Sequence, residues 1–303
     1  MKKILMLLLS ISLFLHAAQK SKTDEIDHLA LAALLLKDGH LGRANEEFKA
    51  VNTEDKNLDF VRYYTIGALI ATKQERYEEA NRLFSHAISA GQEDKSVYLY
   101  MAQNSFKLEK YEDVLASLKA AGESANEPSA YALKAEAEFR LGRSSEALST
   151  LSHAIKRFAG EYGFYKQRFG YLISLELYQS ALEDASFYLN NAQTDEKTSI
   201  AFVNAFAKAK QTKKAIELGE KLKLQYPSNA TIIVQLAHLY ITNEMIQAAA
   251  DLFDQASNYD EKYTQEAAEM LRRAKEFVLA LYKNSQMLDT SEKLKQRIAI
   301  YLE

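Results

Sequence analysis

The chain has 303 residues and a formal net charge of −3, or −5 once residues 1–18 with Lys2 and Lys3 are set aside, a balance that excludes the clustered basic footprint needed for nucleic acid or an anionic membrane surface. Cysteine is absent, which excludes disulfides, thiolate metal sites and lipidation on cysteine. Two prolines and ten glycines leave few turn signals, and the abundance of Ala, Leu, Glu, Lys and Gln favours an all-α chain.

The first predicted element is a leader. Lys2 and Lys3 precede an apolar stretch from Ile4 to Leu15, and Ala17 and Ala18 lie before the polar run that starts at Gln19. That stretch is shorter than the roughly 20 residues of a membrane span and has the length of a signal-peptide core. Residues 1–18 therefore read as a signal peptide cleaved after Ala17 or Ala18, followed by a short linker over 19–24. An uncleaved anchor in the inner membrane is the alternative. Export is expected, to the periplasm in a Gram-negative cell, with no stable membrane insertion after cleavage, because no later segment approaches the length of a span.

From residue 25 the chain repeats itself. A small residue followed four places later by a second apolar or small one, and three places after that by a third, recurs as Ala44/Phe48/Val51, Ala80/Phe84/Ala87, Val114/Leu118/Ala121, Ala147/Leu151/Ala154, Ala181/Ala185/Tyr188, Ala215/Gly219/Leu222 and Ala249/Phe253/Ala256. The leading residues lie 36, 34, 33, 34, 34 and 34 places apart, a constancy that marks stacked supersecondary units. The small residue lets two antiparallel helices approach closely, and its larger neighbours form the stripe buried against the partner helix and the next unit. One unit cannot bury its stripe alone, so stability accrues through nearest-neighbour interfaces. Beyond residue 263 the pattern predicts capping helices over 264–303. A long one runs from Thr264 to about Tyr282, with Ala268, Leu271, Ala274 and Val278 on its apolar side, and a shorter one from Ser291 to Leu302.

The stretch Tyr77, Glu78, Glu79, Ala80, Phe84, Ala87, the stretch Leu236, Ala237, Tyr240, and Pro227 at a unit's end resemble the tetratricopeptide repeat family. The resemblance covers about residues 25–263 and implies a right-handed superhelical solenoid of about seven helix-turn-helix repeats. The family's early tryptophan is missing. Its place holds His28, Tyr64, Tyr98, Tyr131, Tyr165, Ser199 and Ile233, so only the first, sixth and seventh units lack an aromatic tyrosine there.

No nucleophile with a base, no zinc-ligand spacing and no phosphate loop is visible, and His28, His40, His86, His153 and His238 stand singly. The chain is therefore expected to be non-enzymatic, with no catalytic, cofactor or metal residues. The resemblance instead implies recognition of a protein or peptide by a concave groove lined by the first helix of each pair. Carried over by repeat phase, the groove residues are Leu99, Gln103, Phe106 and Lys107 in the third unit, and Glu136, Phe139 and Arg140 in the fourth. Lys166, Gly170 and Ile173 follow in the fifth, Asn204 and Lys208 in the sixth, and His238 in the seventh. Phe106 and Phe139 are either neighbouring aromatic anchors or packing against the next repeat. Gly170 either leaves room for a partner's backbone or marks close helix contact. Bases recur near the end of the first helix as Lys37, Lys73, Lys107, Arg140 and Lys208, where they either bind an acidic peptide or complement the helix dipole. The family's clamp for a chaperone's terminal carboxylate is not assembled: Lys166 and Asn204 match singly, while Gly170, Val234 and His238 break the set.

The functional expectation is an exported protein-protein interaction scaffold or adaptor that binds a protein segment in its groove and organises an envelope complex. The alternative is a structural subunit of a larger machine or homo-oligomer that uses its convex and end surfaces.

Overall fold

The structure, a computed structural model, describes residues 26–287, so the expected leader, the linker and the helix expected from Ser291 to Leu302 lie outside the described residues. The chain divides between Phe164 and Tyr165 into two units. The first holds four consecutive helix pairs: α1 (His28–Lys37) with α2 (Leu41–Lys49), α3 (Phe60–Lys73) with α4 (Tyr77–Ser89), α5 (Val97–Lys107) with α6 (Tyr111–Ala121), and α7 (Pro128–Arg140) with α8 (Ser144–Arg157). The second holds α9 (Gly163–Ser174), which begins at the division, with α10 (Tyr178–Asn191). It continues with α11 (Glu196–Lys208) and α12 (Thr212–Gln225), then α13 (Ala230–Thr242) and α14 (Ile246–Tyr259), and ends in α15 (Thr264–Met287). Among the described residues there is no strand.

The local chemistry that starts and stops these helices repeats with the sequence. Asp27, Asp59, Asp195 and Asn229 cap α1, α3, α11 and α13, each accepting from the N–H three residues on. Pro128 occupies the first turn of α7, where a missing N–H costs nothing. Every first helix ends in the same way. The N–H groups of His40, Arg76, Lys110, Arg143, Leu177, Gln211 and Met245 donate to the carbonyl five residues back at 2.8–2.9 Å, which turns the chain through one left-handed residue. That residue is glycine at Gly39 and Gly142, but Glu75, Glu109, Glu176, Lys210 and Glu244 also take φ of 57–61°. A Cβ is strained there. Replacing Glu109 by Gly is expected to raise the unfolding free energy by about 0.5–1 kcal/mol, the released strain exceeding glycine's extra entropy in the unfolded chain, and a shift of the denaturation midpoint to higher denaturant would show it.

The seven leading small residues, Ala44, Ala80, Val114, Ala147, Ala181, Ala215 and Ala249, are all at 0 % exposure. Each core draws on one pair and the helix after it. Leu29, Ala33, Leu35 and Ala44 pack with Ile66 and Ile70 of α3, Ala68, Leu69 and Phe84 with Val97 of α5, and Ala102, Val114 and Leu118 with Ala130 and Ala137 of α7. The tyrosines in the early aromatic place cross to the second helix of their own pair, as in Tyr165 stacked on Phe187 at 4.2 Å and Tyr64 beside His86 at 5.2 Å. Close approach of backbone is confined to two glycines. A Cβ on Gly67 would stand 2.6 Å from Phe48 Cζ, and one on Gly219 would stand 3.0 Å from Leu236 Cδ1.

In α15 the buried face keeps the expected Leu271 and Ala274 but takes Ala267 and Met270 in place of Ala268. Ala267, Met270 and Ala274 bury against α13 and α14, Leu271 is half-buried, and Ala268 is exposed. Met270 draws the face to its own side because its long side chain contributes far more apolar area than an alanine methyl.

Candidate protein-binding cleft

On the first-helix side of the first unit, α1, α3 and α5 lie side by side and enclose a cleft of about 390 Å³. Leu36 and Leu69 supply apolar wall, Tyr100 closes one side, Thr72 and Asn104 form a polar floor, and Lys73, Lys107, Gln103 and Glu75 stand around it. These residues converge because they occupy matching turns of parallel first helices.

The floor is a fixed hydrogen-bond network. Asn104 is 1 % exposed, and its Nδ2 donates to Thr72 Oγ1 at 3.1 Å and to Asn81 Oδ1 at 3.0 Å. Asn81 Nδ2 in turn donates to Ser105 Oγ at 3.0 Å. A satisfied buried network of this kind fixes the register of α3, α4 and α5 against one another. Tyr100 stacks on Phe84 with ring centroids 5.7 Å apart. Burial, with a smaller contribution from Asp94, pushes its phenol up to about 12, so it presents a neutral hydroxyl throughout the physiological range. The lysines are the exposed part. Lys73 and Lys107 are exposed, each in the last turn of its helix, where a cation complements the helix dipole. The site therefore joins an apolar surface to two ammonium groups, a combination suited to a peptide that carries a carboxylate beside an aliphatic side chain.

The residues chosen by repeat phase fare differently. Gln103 and Lys107 line the cleft. Leu99, at 9 % exposure, packs in the core with Ala102, Val114 and Leu118 and offers no open surface, because its place on α5 faces α6 and α7. Phe106 is half-buried against the same core, edge-on to Tyr111 at 5.7 Å. Phe139 is half-buried as well. Glu136 binds Arg140 Nε at 2.7 Å within α7.

In the second unit the candidates are held by neighbours rather than gathered into one site. Lys166 Nζ donates to Asp195 Oδ2 at 2.8 Å, and that bond, with two from Thr198, holds the Asp195 carboxyl well below the usual carboxylate range. Asn204 accepts from Gln235 at 3.3 Å, and Lys208 lies over the Tyr178 ring at 5.3 Å. His238 meets Phe253 edge-on at 5.2 Å and stands 3.5 Å from Glu266. Ile173 is half-buried. Gly170 is exposed, and a Cβ there would meet nothing within 4 Å, so close helix contact does not explain it.

Lys73 lines the cleft as one of the bases recurring at first-helix ends, but Leu36, Leu69 and Thr72 lie outside the groove places carried over from the third repeat onward. Continuing the same helical phase back through α3 and α1 would have found them.

No protein-family model matches the chain, and no curated protein matches its sequence. Solved structures do. The C-terminal part of a TPR repeat-containing protein from Cytophaga hutchinsonii superposes with a TM-score of 0.58 at 14 % identity, covering 78 % of this chain and 93 % of that one. The Pseudomonas aeruginosa protein PilF gives 0.50 at 12 % identity, covering 66 % and 90 %, and a double mutant of MamA RS-1 gives 0.50 at 17 %, covering 56 % and 97 %. The fold is that of the tetratricopeptide repeat. At these identities the likeness is one of fold, and the tetratricopeptide pairs described above carry their own side chains at the cleft. Among the described residues no helix is long and apolar enough to cross a membrane.

Proposed function

We propose that this chain is a non-enzymatic tetratricopeptide scaffold that acts after export and binds a protein segment on the first-helix wall, with an envelope assembly as its setting. The observation that carries this reading is the cleft of the first unit, where Leu36 and Leu69 offer apolar contact beside the exposed ammonium groups of Lys73 and Lys107. A carboxylate-bearing segment fits that pattern. Charge at the opening guides encounter and register, and the apolar wall supplies the desolvated contact that dominates affinity. The candidates of the second unit, Lys166, Gly170, Ile173, Asn204, Lys208 and His238, belong to the same reading as groove positions on that unit's own first helices.

The test is a peptide array of acidic–aliphatic sequences probed with the full chain, followed by titration of the best binders. Reversing Lys73 and Lys107 to Glu is expected to weaken those peptides by at least about tenfold while helicity and the melting midpoint stay close to the parent's, because both lysines are exposed. Unchanged affinity in the reversed variant, or no saturable binding by the parent, would shift the function to the outer and end surfaces and to the structural-subunit reading.

A further inference from the structure

The turns that join first to second helices form an edge of each unit, and the sixth repeat's turn differs in sign from its counterparts. The left-handed turn residue is Glu75 in the second repeat and Glu109 in the third, but Lys210 in the sixth. The first turn of the second helix holds Glu78 and Glu79 in α4 and Glu112 and Asp113 in α6, whereas α12 holds Lys213 and Lys214 at the same places. Carboxylates there are favoured by the positive end of the helix dipole, and ammonium groups are opposed by it. Folding therefore gives no reason for the two lysines.

Neither are they held by partners. Among the described residues Lys210, Lys213 and Lys214 are exposed and enter no ion pair. Large apolar side chains flank them in the adjacent repeats: Leu177 is 48 % exposed and Met245 is 40 % exposed. The corresponding places in the first unit hold Arg76, Lys110 and Arg143. Two of those bases already bind acids of their own edge, Arg76 with Glu79 and Arg143 with Glu112. Glu75, Glu78, Glu109 and Asp113 remain exposed and unpaired among the described residues. The chain thus carries an unsatisfied basic edge and an unsatisfied acidic edge, both built on the same backbone turn.

We propose that the basic edge of the sixth repeat docks on the acidic edge of the second and third repeats of another copy of this chain. The contact is heterologous, so it leaves a pair of copies with one edge of each sign free and extends from copy to copy unless the rotation closes a ring. Matching turn geometry lets several charge pairs form at once, and Leu177 and Met245 add apolar contact on either side. A lipid surface is the poorer occupant, because exposed Glu176 and Glu244 flank the lysines on the same edge: a uniformly anionic surface offers them no partner, whereas the acidic edge also carries the exposed Lys110.

Sedimentation velocity of the full chain tests this. The weight-average mass is expected to exceed the monomer's at about 0.01 M salt and to return to it at about 1 M, as the screening length falls from roughly 30 Å to 3 Å. Association through the apolar residues 4–15 would not respond in this way. Lys213→Glu with Lys214→Glu, and separately Glu78→Lys with Asp113→Lys, should each weaken association at least about tenfold. An equimolar mixture of the two variants should associate again, since each then supplies the edge the other has lost. Circular dichroism checks that both stay folded. A parent that is monomeric at low salt, variants that associate like the parent, or a mixture that fails to recover would overturn the proposal. So would lysine-dependent binding to vesicles of anionic phospholipid without self-association, which would assign the edge to a membrane surface. None of these results depends on whether the first-helix cleft binds a peptide.

Discussion

Phe84→Ala is expected to lower the unfolding free energy by about 3–5 kcal/mol, more than any other single truncation in the first unit. The ring is at 0 % exposure, packed with Ala68, Leu69 and Val97 and stacked on Tyr100. Alanine removes its transfer energy and leaves a cavity that α3 and α5 cannot collapse into, because the Asn104–Thr72–Asn81 network holds them in register. In a repeat array the loss falls on one interface between neighbouring pairs, so the transition should broaden as well as shift, with the pairs on either side of the gap losing their coupling. Leu69 and Tyr100 also line the cleft, which links this core to the candidate site. Chemical denaturation followed by circular dichroism measures the effect, with exposed Glu78→Gln as the control expected to stay within about 0.5 kcal/mol. Equal midpoints for the two variants would mean that the phase of the repeat is misassigned.

Arg168→Met is expected to cost about 3–5 kcal/mol for a different reason. Asp184 is 2 % exposed, and the Arg168 guanidinium grips it with two bonds, Nε to Oδ2 at 2.8 Å and Nη2 to Oδ1 at 2.6 Å. Methionine keeps most of the side-chain volume but strands the carboxylate in the interior. Replacing both residues, Arg168→Met with Asp184→Leu, removes the stranded charge and should recover most of the loss. The Asp184 hydrogen bond raises the guanidinium further above its ordinary value. A base raised in this way stabilises the fold below its unfolded-state value, and the contribution is lost only as pH rises through the folded one. The pair's contribution should therefore be flat through neutral pH. Urea titration of the single and double variants at neutral pH tests this, and a double variant no more stable than Arg168→Met would show that the pair stabilises by geometry rather than by neutralising a buried charge.

The two sites differ in what they demand of the chain. The first-helix cleft needs α1, α3 and α5 in fixed register, so its binding should weaken when Phe84 or the Asn104 network is disturbed. The turn edges need only the local left-handed turn and the first turn of the following helix, features that each pair builds on its own. A destabilised but folded first unit should therefore lose peptide before it loses charge-driven association.

How much of this was legible depends on the range of the interactions. The seven leading small residues were readable from spacing alone, and all are fully buried, because each packs only within its own pair and against the next; a nearest-neighbour core repeats with the sequence. Helix type followed from composition for the same local reason. In α15 Leu271 and Ala274 followed from the pattern, but Ala267 is buried in place of Ala268, because no further helix pair follows among the described residues and the single large side chain of Met270 outweighs an alanine. The cleft was half-read. Gln103 and Lys107 followed from phase, but Leu36 and Leu69 become a wall only when three helices distant in sequence stand side by side. Leu99 and Phe106 were placed on the correct helix, yet whether a side chain on it faces core or solvent depends on how the next pair crosses; Leu99 is buried there and Phe106 half-buried. The charges of the sixth repeat stand in plain sight in the sequence. Arg76 with Glu79 is a three-residue spacing on one helix turn, but that Arg143 meets Glu112 of the preceding pair while Lys210, Lys213 and Lys214 go unpaired among the described residues was decided by the tertiary structure, because those groups approach only where neighbouring pairs stack.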